Sequence, residues 1–195
     1  DEGLSNIDDI IRVSDGIMVA RGDLGVQIPI QDIPLAQKKI IAKCNAAGKP
    51  VVTATQMLDS MINNPRPTRA ESNDVANAIF DGTDAVMLSG ETANGDWPIE
   101  AVTTMATIAK TIEDSEEYRA TTNKYMELHP ARNIAEATAK ATYISAKELN
   151  AEVIIAPTMS GNTAKQISKF RPKQIIFAPT TSERVARQLM ILSGV

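Results

Sequence analysis

A unit that recurs three times constrains this chain more than any other feature: a turn, a short apolar run and a polar terminus. Asp15-Gly16 precedes Ile17-Met18-Val19-Ala20, Gly48-Lys49-Pro50 precedes Val51-Val52-Thr53-Ala54, and Asp81-Gly82 precedes Ala85-Val86-Met87-Leu88. The runs lead to Asp23, Thr55 and Ser89, at spacings of 32 and 34 residues. A strand–helix–strand unit needs roughly 30 residues or more, so the pattern predicts successive parallel strands. The first run is almost wholly apolar, as in a strand covered on both faces. Parallel strands open their carboxyl ends onto one rim, where α/β sheets and barrels place their chemistry. Asp23, Thr55 and Ser89 therefore belong to one candidate cavity.

The first terminus is the most specific. In Arg21-Gly22-Asp23-Leu24-Gly25 two glycines bracket one carboxylate, which lets the backbone turn tightly and present amides beside it. A single helical turn starting at Gly25 is expected, its free N–H groups offering an anion site. The alternative is an ordinary turn in which Asp23 only caps the next segment.

The remaining elements follow from capping and period. Residues 1–15 read as a short helix with Ser5 and Asn6 as caps. Pro34 to Ala47 reads as a helix closed by Gly48, with Ala36, Ile40, Cys44 and Ala47 as its apolar stripe. Gln56–Ile62 looks helical, and Thr68-Arg69-Ala70-Glu71 is a capping box that starts a helix to Phe80. Another helix runs from Pro98 to about Arg119. Residues 120–132 lose their period and become polar, which marks a domain boundary. His129 stands there without ligand spacing and is read as a solvated bystander. Beyond lie a helix over 134–149, a strand over 153–156, a loop over 157–162, a helix over 163–170, a strand over 174–178 and a last helix to Met190 capped by Thr181 or Ser182.

Composition narrows the function classes. A net charge of −4, with basic residues scattered and only 4% aromatic residues, leaves no nucleic-acid footprint and points to small ligands. The lone Cys44 forms no internal disulfide and is read as a core thiol of a reducing compartment. No apolar stretch reaches the length of a membrane span, and no signal-peptide pattern is present, so the cytoplasm is the expected location. The sequence opens at Asp1 without Met and closes at Val195 inside an unfinished α/β pattern. It is therefore expected to be a piece of a longer protein.

Four blocks carry a resemblance to a known family: Gly16 to Gly25, Lys49 to Leu58, Pro65 to Glu71, and Met87 to Thr92. Together, in this order and without large gaps, they resemble pyruvate kinase. The resemblance implies an α/β chain in which residues 1–118 are the last three βα units of a (β/α)8 TIM barrel. Residues 119–195 would open a three-layer α/β effector-binding domain. It also implies transfer of phosphoryl from phosphoenolpyruvate to ADP, giving pyruvate and ATP, by a cytoplasmic homotetramer. Arg66 and Arg69 resemble positions near a subunit contact; the alternative is plain surface charges beside the prolines.

Site roles carry over motif by motif. Asp23 would be one of two carboxylates on Mg²⁺ or Mn²⁺, with K⁺ left open as a second cation. Ala20, Arg21, Gly22, Asp23 and Thr55 would bind substrate. Thr55, Ser89 and Glu91 would be catalytic, with Ser89 and Glu91 near the protonation face; the alternatives are that Thr55 only satisfies its own strand end and that Glu91 only caps the turn after Gly90. Thr158, Ser160, Gly161, Asn162 and Thr163 would hold a sugar phosphate or related effector on loop amides and hydroxyls. The family's other metal Glu, its catalytic Lys and its substrate Arg are expected outside these residues, so this stretch alone is expected to be inactive. Two alternatives stay open: a different metal-dependent pyruvate or phosphoenolpyruvate barrel, aldolase or lyase, and a non-catalytic effector-binding paralogue.

Overall fold

The computed structural model describes residues 2–128 and 130–195. The chain divides into two compact units, Asp1–Tyr118 and Arg119–Val195.

In the first unit, α1 (Glu2–Ser5) and α2 (Ile7–Val13) lead into β1 (Ile17–Ala20). The single helix expected over 1–15 is broken at Asn6, whose side chain makes no capping bond. Next, α3 (Arg21–Gln27) begins at once after β1, four residues before the turn expected at Gly25. Gly22 and Asp23 thus lie inside its first turn. A one-turn 3₁₀ helix over Ile30–Asp32 precedes α4 (Ile33–Ala47). Pro34 pre-sets the first turn of α4, and Gly48 closes it in the left-handed region at φ 66°. Ile7, Ile11, Val19, Ile40, Ile41, Cys44 and Val51 form one buried cluster, which packs α2 and α4 on the sheet. Ala47 is exposed, because the sheet side of α4 has rotated past it by its last turn.

After β2 (Val51–Ala54) the residues read as helical become a bend followed by a 3₁₀ turn over Asp59–Ile62. Positive φ at Thr55 (70°) and Gln56 (52°) prevents a helix from starting there. The capping box is present: Thr68 and Glu71 exchange bonds at the start of α5 (Arg69–Phe80). β3 (Ala85–Met87), α6 (Gly90–Ala93) and α7 (Pro98–Glu113) follow. The sheet is parallel in the order β1-β2-β3, with Val19 opposite Thr53 and Thr53 opposite Val86. All three carboxyl ends therefore face one side. Within these residues one face of β1 is covered and the other open: Val19 is 1% exposed and Met18 54%.

The helix expected from Pro98 to Arg119 stops at Glu113. The Ser115 hydroxyl there donates to Ile112 O at 2.6 Å and accepts Tyr118 N at 3.2 Å, which opens α8 (Glu116–Leu128). The aperiodic stretch expected over 120–132 is thus mostly helix; among the described side chains of α8, Tyr118 and Thr122 are buried. His129 lies outside the described residues.

In the second unit Asn133 caps α9 (Ile134–Glu148) by accepting Glu136 N at 2.9 Å. Then come β4 (Val153–Ile155), α10 (Asn162–Ser168), β5 (Ile175–Phe177) and α11 (Glu183–Leu189), the last capped by Ser182. β4 and β5 pair in parallel. Their alternation sends Ile154 and Ile176 into a core with Tyr143, Ala164, Ile167, Phe170 and Leu189.

Candidate functional site

The three strand ends bring the expected residues together unequally. The amide of Gly22, in the first turn of α3, donates to the Thr55 hydroxyl at 3.0 Å. This single bond joins the rim segments after β1 and β2. Asp23 is exposed beside it, and among the described residues nothing donates to its carboxylate. Ala20 is the last residue of β1 and precedes α3. A groove of about 510 Å³ runs along this part of the unit, lined by Asp23, Ala20, Leu24 and Gln27 with apolar residues of α2 and β1.

Arg21 turns inward. Its side chain is 10% exposed and pairs with Asp74 of α5. Its guanidinium donates to Thr55 O from Nε at 3.2 Å and from Nη2 at 2.6 Å, and to Gln56 O at 3.0 Å. Asp74 was not among the residues singled out from sequence. The pair spans 53 residues, and no local pattern announces it.

Ser89 follows β3 and leads into α6; its hydroxyl has no partner among the described residues. Glu91 is 1% exposed. Its Oε1 accepts Leu58 N at 3.0 Å and its Oε2 accepts Ser89 N at 2.7 Å. Both oxygens of this carboxylate are therefore committed to backbone amides.

The donor set around Asp23 is one carboxylate with adjoining amide and hydroxyl groups. Among the described residues no three His, Cys, Asp or Glu side chains converge on a metal-sized site. A free, exposed carboxylate fits a hard cation that takes one or two protein carboxylates and completes its shell with water and substrate oxygens. It does not fit a caged structural metal.

In the second unit the loop between β4 and α10 is ordered by its own hydroxyls. Thr158 Oγ1 accepts Gly161 N at 2.9 Å, Ser160 Oγ accepts Asn162 N at 3.4 Å, and Gly161 sits at φ 82°. Ser160, Asn162 and Thr163 are exposed. Thr158 N donates to Pro179 O at 3.0 Å, which fixes the loop to the carboxyl end of β5.

Two family models match the chain: "Pyruvate kinase, barrel domain" over residues 1–102 and "Pyruvate kinase, alpha/beta domain" over residues 136–195. The chain belongs to the pyruvate kinase family. It is 58% identical to a pyruvate kinase of Clostridium acetobutylicum over the whole chain and 41% of that protein. It is 53% identical to the Geobacillus stearothermophilus pyruvate kinase, again over its whole length but 33% of the relative. A crystal structure of a pyruvate kinase from Cryptosporidium parvum superposes with TM-score 0.94 at 53% identity, covering the whole chain and 39% of that structure. The chain thus spans 33–41% of the length of these pyruvate kinases. In family terms, the three-stranded parallel unit is a portion of the TIM barrel, and the β4–β5 unit belongs to the alpha/beta domain.

Proposed function

We propose that the protein to which these residues belong transfers phosphoryl from phosphoenolpyruvate to ADP, forming pyruvate and ATP. The observation that carries this reading is the Gly22–Thr55 bond beside the free carboxylate of Asp23, at the carboxyl ends of parallel strands. The amides of Gly22 and Asp23 and the Thr55 hydroxyl would receive the substrate carboxylate, and Ala20 and Arg21 would border the same pocket. Asp23 would hold Mg²⁺ or Mn²⁺, which when bound offsets charge on the transferring phosphoryl group and the developing enolate. Ser89 would face the protonation side with its free hydroxyl, and K⁺ would serve as a second cation. Residues 1–118 would form the barrel portion and 119–195 the start of the effector domain. There Thr158, Ser160, Gly161, Asn162 and Thr163 would take a sugar phosphate or related phosphometabolite. The assembly would be a cytoplasmic homotetramer.

Asp23→Asn in the complete protein tests the reading. The expected result is a fall in kcat by about two orders of magnitude or more with an unchanged melting curve. The measurement is pyruvate release from phosphoenolpyruvate and ADP in a coupled assay. Near-normal turnover by the variant would remove Asp23 from the metal site.

A further inference from the structure

The turn Thr55–Leu58 is held in an unfavourable shape. Thr55 and Gln56 are consecutive residues in the left-handed region, at φ 70° and 52°, and neither is glycine. Side chains with a Cβ are disfavoured there, so surrounding contacts must enforce the conformation. Two charged side chains grip this turn from neighbouring rim segments. Arg21 donates to both carbonyls, Thr55 O and Gln56 O, while Asp74 accepts from the other side of its guanidinium. Glu91 accepts the amide at the far end of the turn, Leu58 N, and ties it to Ser89 N.

We infer that Arg21 and Glu91 are positioning residues that act through Thr55, holding the left-handed turn that seats its hydroxyl against the Gly22 amide. The inference rests on the proposed reading of Thr55 as a substrate-binding group. It places neither side chain on the substrate. A guanidinium with two carbonyls and a carboxylate around it has spent its fork within the protein. A buried carboxylate whose two oxygens each accept a backbone N–H is fixed in place by those two bonds, one to each rim segment. Arginine suits the first task because lysine cannot span two carbonyls and a carboxylate from one planar group. Glutamate suits the second because glutamine would turn an NH₂ group toward one of the two amides.

The experiment uses the complete protein with Arg21→Lys, Glu91→Gln, Thr55→Ala and Gln56→Gly, singly and in pairs. Arg21→Lys and Glu91→Gln are expected to raise KM for phosphoenolpyruvate at least about tenfold while leaving KM for ADP within about twofold. In the Thr55→Ala background Arg21→Lys is expected to add less than about threefold, since the two act through one group. Gln56→Gly is expected to restore much of the loss in Arg21→Lys, because glycine tolerates the left-handed region unaided. Effects that multiply independently, or loss of one limb of the pH–rate profile in Glu91→Gln, would overturn the inference. A crystal structure of Arg21→Lys reads the same point without activity: φ at Gln56 should turn negative and Thr55 Oγ1 should leave Gly22 N. An unchanged turn there refutes the positioning role, whereas a wild-type protein that makes no pyruvate refutes only the functional reading.

Discussion

Glu71 and Ser60 hold each other through two hydrogen bonds, Ser60 N to Oε1 at 2.7 Å and Ser60 Oγ to Oε2 at 2.6 Å. The same carboxylate accepts Thr68 N at 2.7 Å, and the Thr68 hydroxyl accepts Glu71 N at 3.2 Å. One side chain thus starts α5 and pins the 3₁₀ turn after β2 to that start. Burial pushes the Glu71 carboxyl up, but the bonds from Ser60 and Thr68 outweigh it and hold the group below its ordinary value. A depressed folded-state value contributes stability that is present above the unfolded value, 4.5, and is lost as pH falls through the folded one. Glu71→Ala is expected to cost about 1–2 kcal/mol at neutral pH, the sum of a lost cap and a lost loop anchor. Urea denaturation of wild type and variant checks it, and the gap between them should narrow as pH drops below the ordinary carboxylate range.

Cys44 is fully buried in the α2–α4 cluster. Burial, with a smaller contribution from the negative charge of Asp84, pushes its thiol up to about 11. The thiolate is the reactive form, so the native thiol is inert near neutrality. Alkylation by iodoacetamide at mildly alkaline pH is expected to run about 100-fold slower in the native protein than in urea. Mass spectrometry of timed samples measures both rates. Comparable rates would mean that α4 opens far more often than its packing allows.

The sequence made legible what local chemistry dictates. Thr68 and Glu71 stand at capping-box spacing, Gly48 marks a helix end, and the repeated spacing from Asp23 to Thr55 to Ser89 places three parallel strands. Those same rules put Gly22, Asp23 and Thr55 on one rim. What stayed hidden depends on contacts distant in the chain or on backbone groups. Met57, Leu58, Met61 and Ile62 have helical spacing, yet Thr55 and Gln56 stand at positive φ, and the Thr55 carbonyl is bonded to Arg21, 34 positions away. Glu91 stands where a cap of the turn after Gly90 is expected, and it does accept Ser89 N, but its second bond, to Leu58 N 33 residues away, is displayed by no sequence pattern. Residues 120–128 looked like a loop because their polar residues carry almost no hydrophobic period. Glu136 was overlooked although Asn133 and Glu136 stand at the spacing of a helix start.

Gly95 allows a close crossing between the rim segments after β2 and β3. A Cβ at that position would lie 2.6 Å from Glu91 O and 3.2 Å from Ile62 Cα, both backbone atoms. Asp96 N donates to Ile62 O at 2.8 Å, so the two segments cannot separate without losing a hydrogen bond. Gly95→Ala is expected to destabilise by about 2–3 kcal/mol through forced backbone movement. Gly3→Ala is the control: nothing lies within 4 Å of its Cβ, and alanine favours helix by about 0.5–1 kcal/mol. Thermal melts of the two variants should move in opposite directions. A neutral Gly95→Ala would show that the crossing is looser than its distances imply.

Glu136 anchors the second unit through a charged network. Its Oε1 accepts Arg132 Nη2 and Lys169 Nζ, each at 2.7 Å, and its Oε2 accepts Arg132 N at 2.7 Å. The Lys169 side chain is 8% exposed and that of Glu136 5%, whereas Arg132 is 60% exposed. The hydrogen bond from the Arg132 side chain lowers the carboxyl most, burial opposes it, and Lys169 adds to the lowering, which leaves the group at about 2. A depressed value means that the stabilisation is complete above the ordinary 4.5 and drains away as pH falls toward 2. Glu136→Gln leaves the Lys169 ammonium buried without a counter-charge and is expected to cost about 2 kcal/mol at neutral pH, with the exposed Arg132 contributing little. Amide exchange of α9 in wild type and variant measures this locally. Wild type should lose protection between those two pH values while Glu136→Gln, already weakened, changes less. Parallel loss in both proteins would place the acid sensitivity of this unit elsewhere.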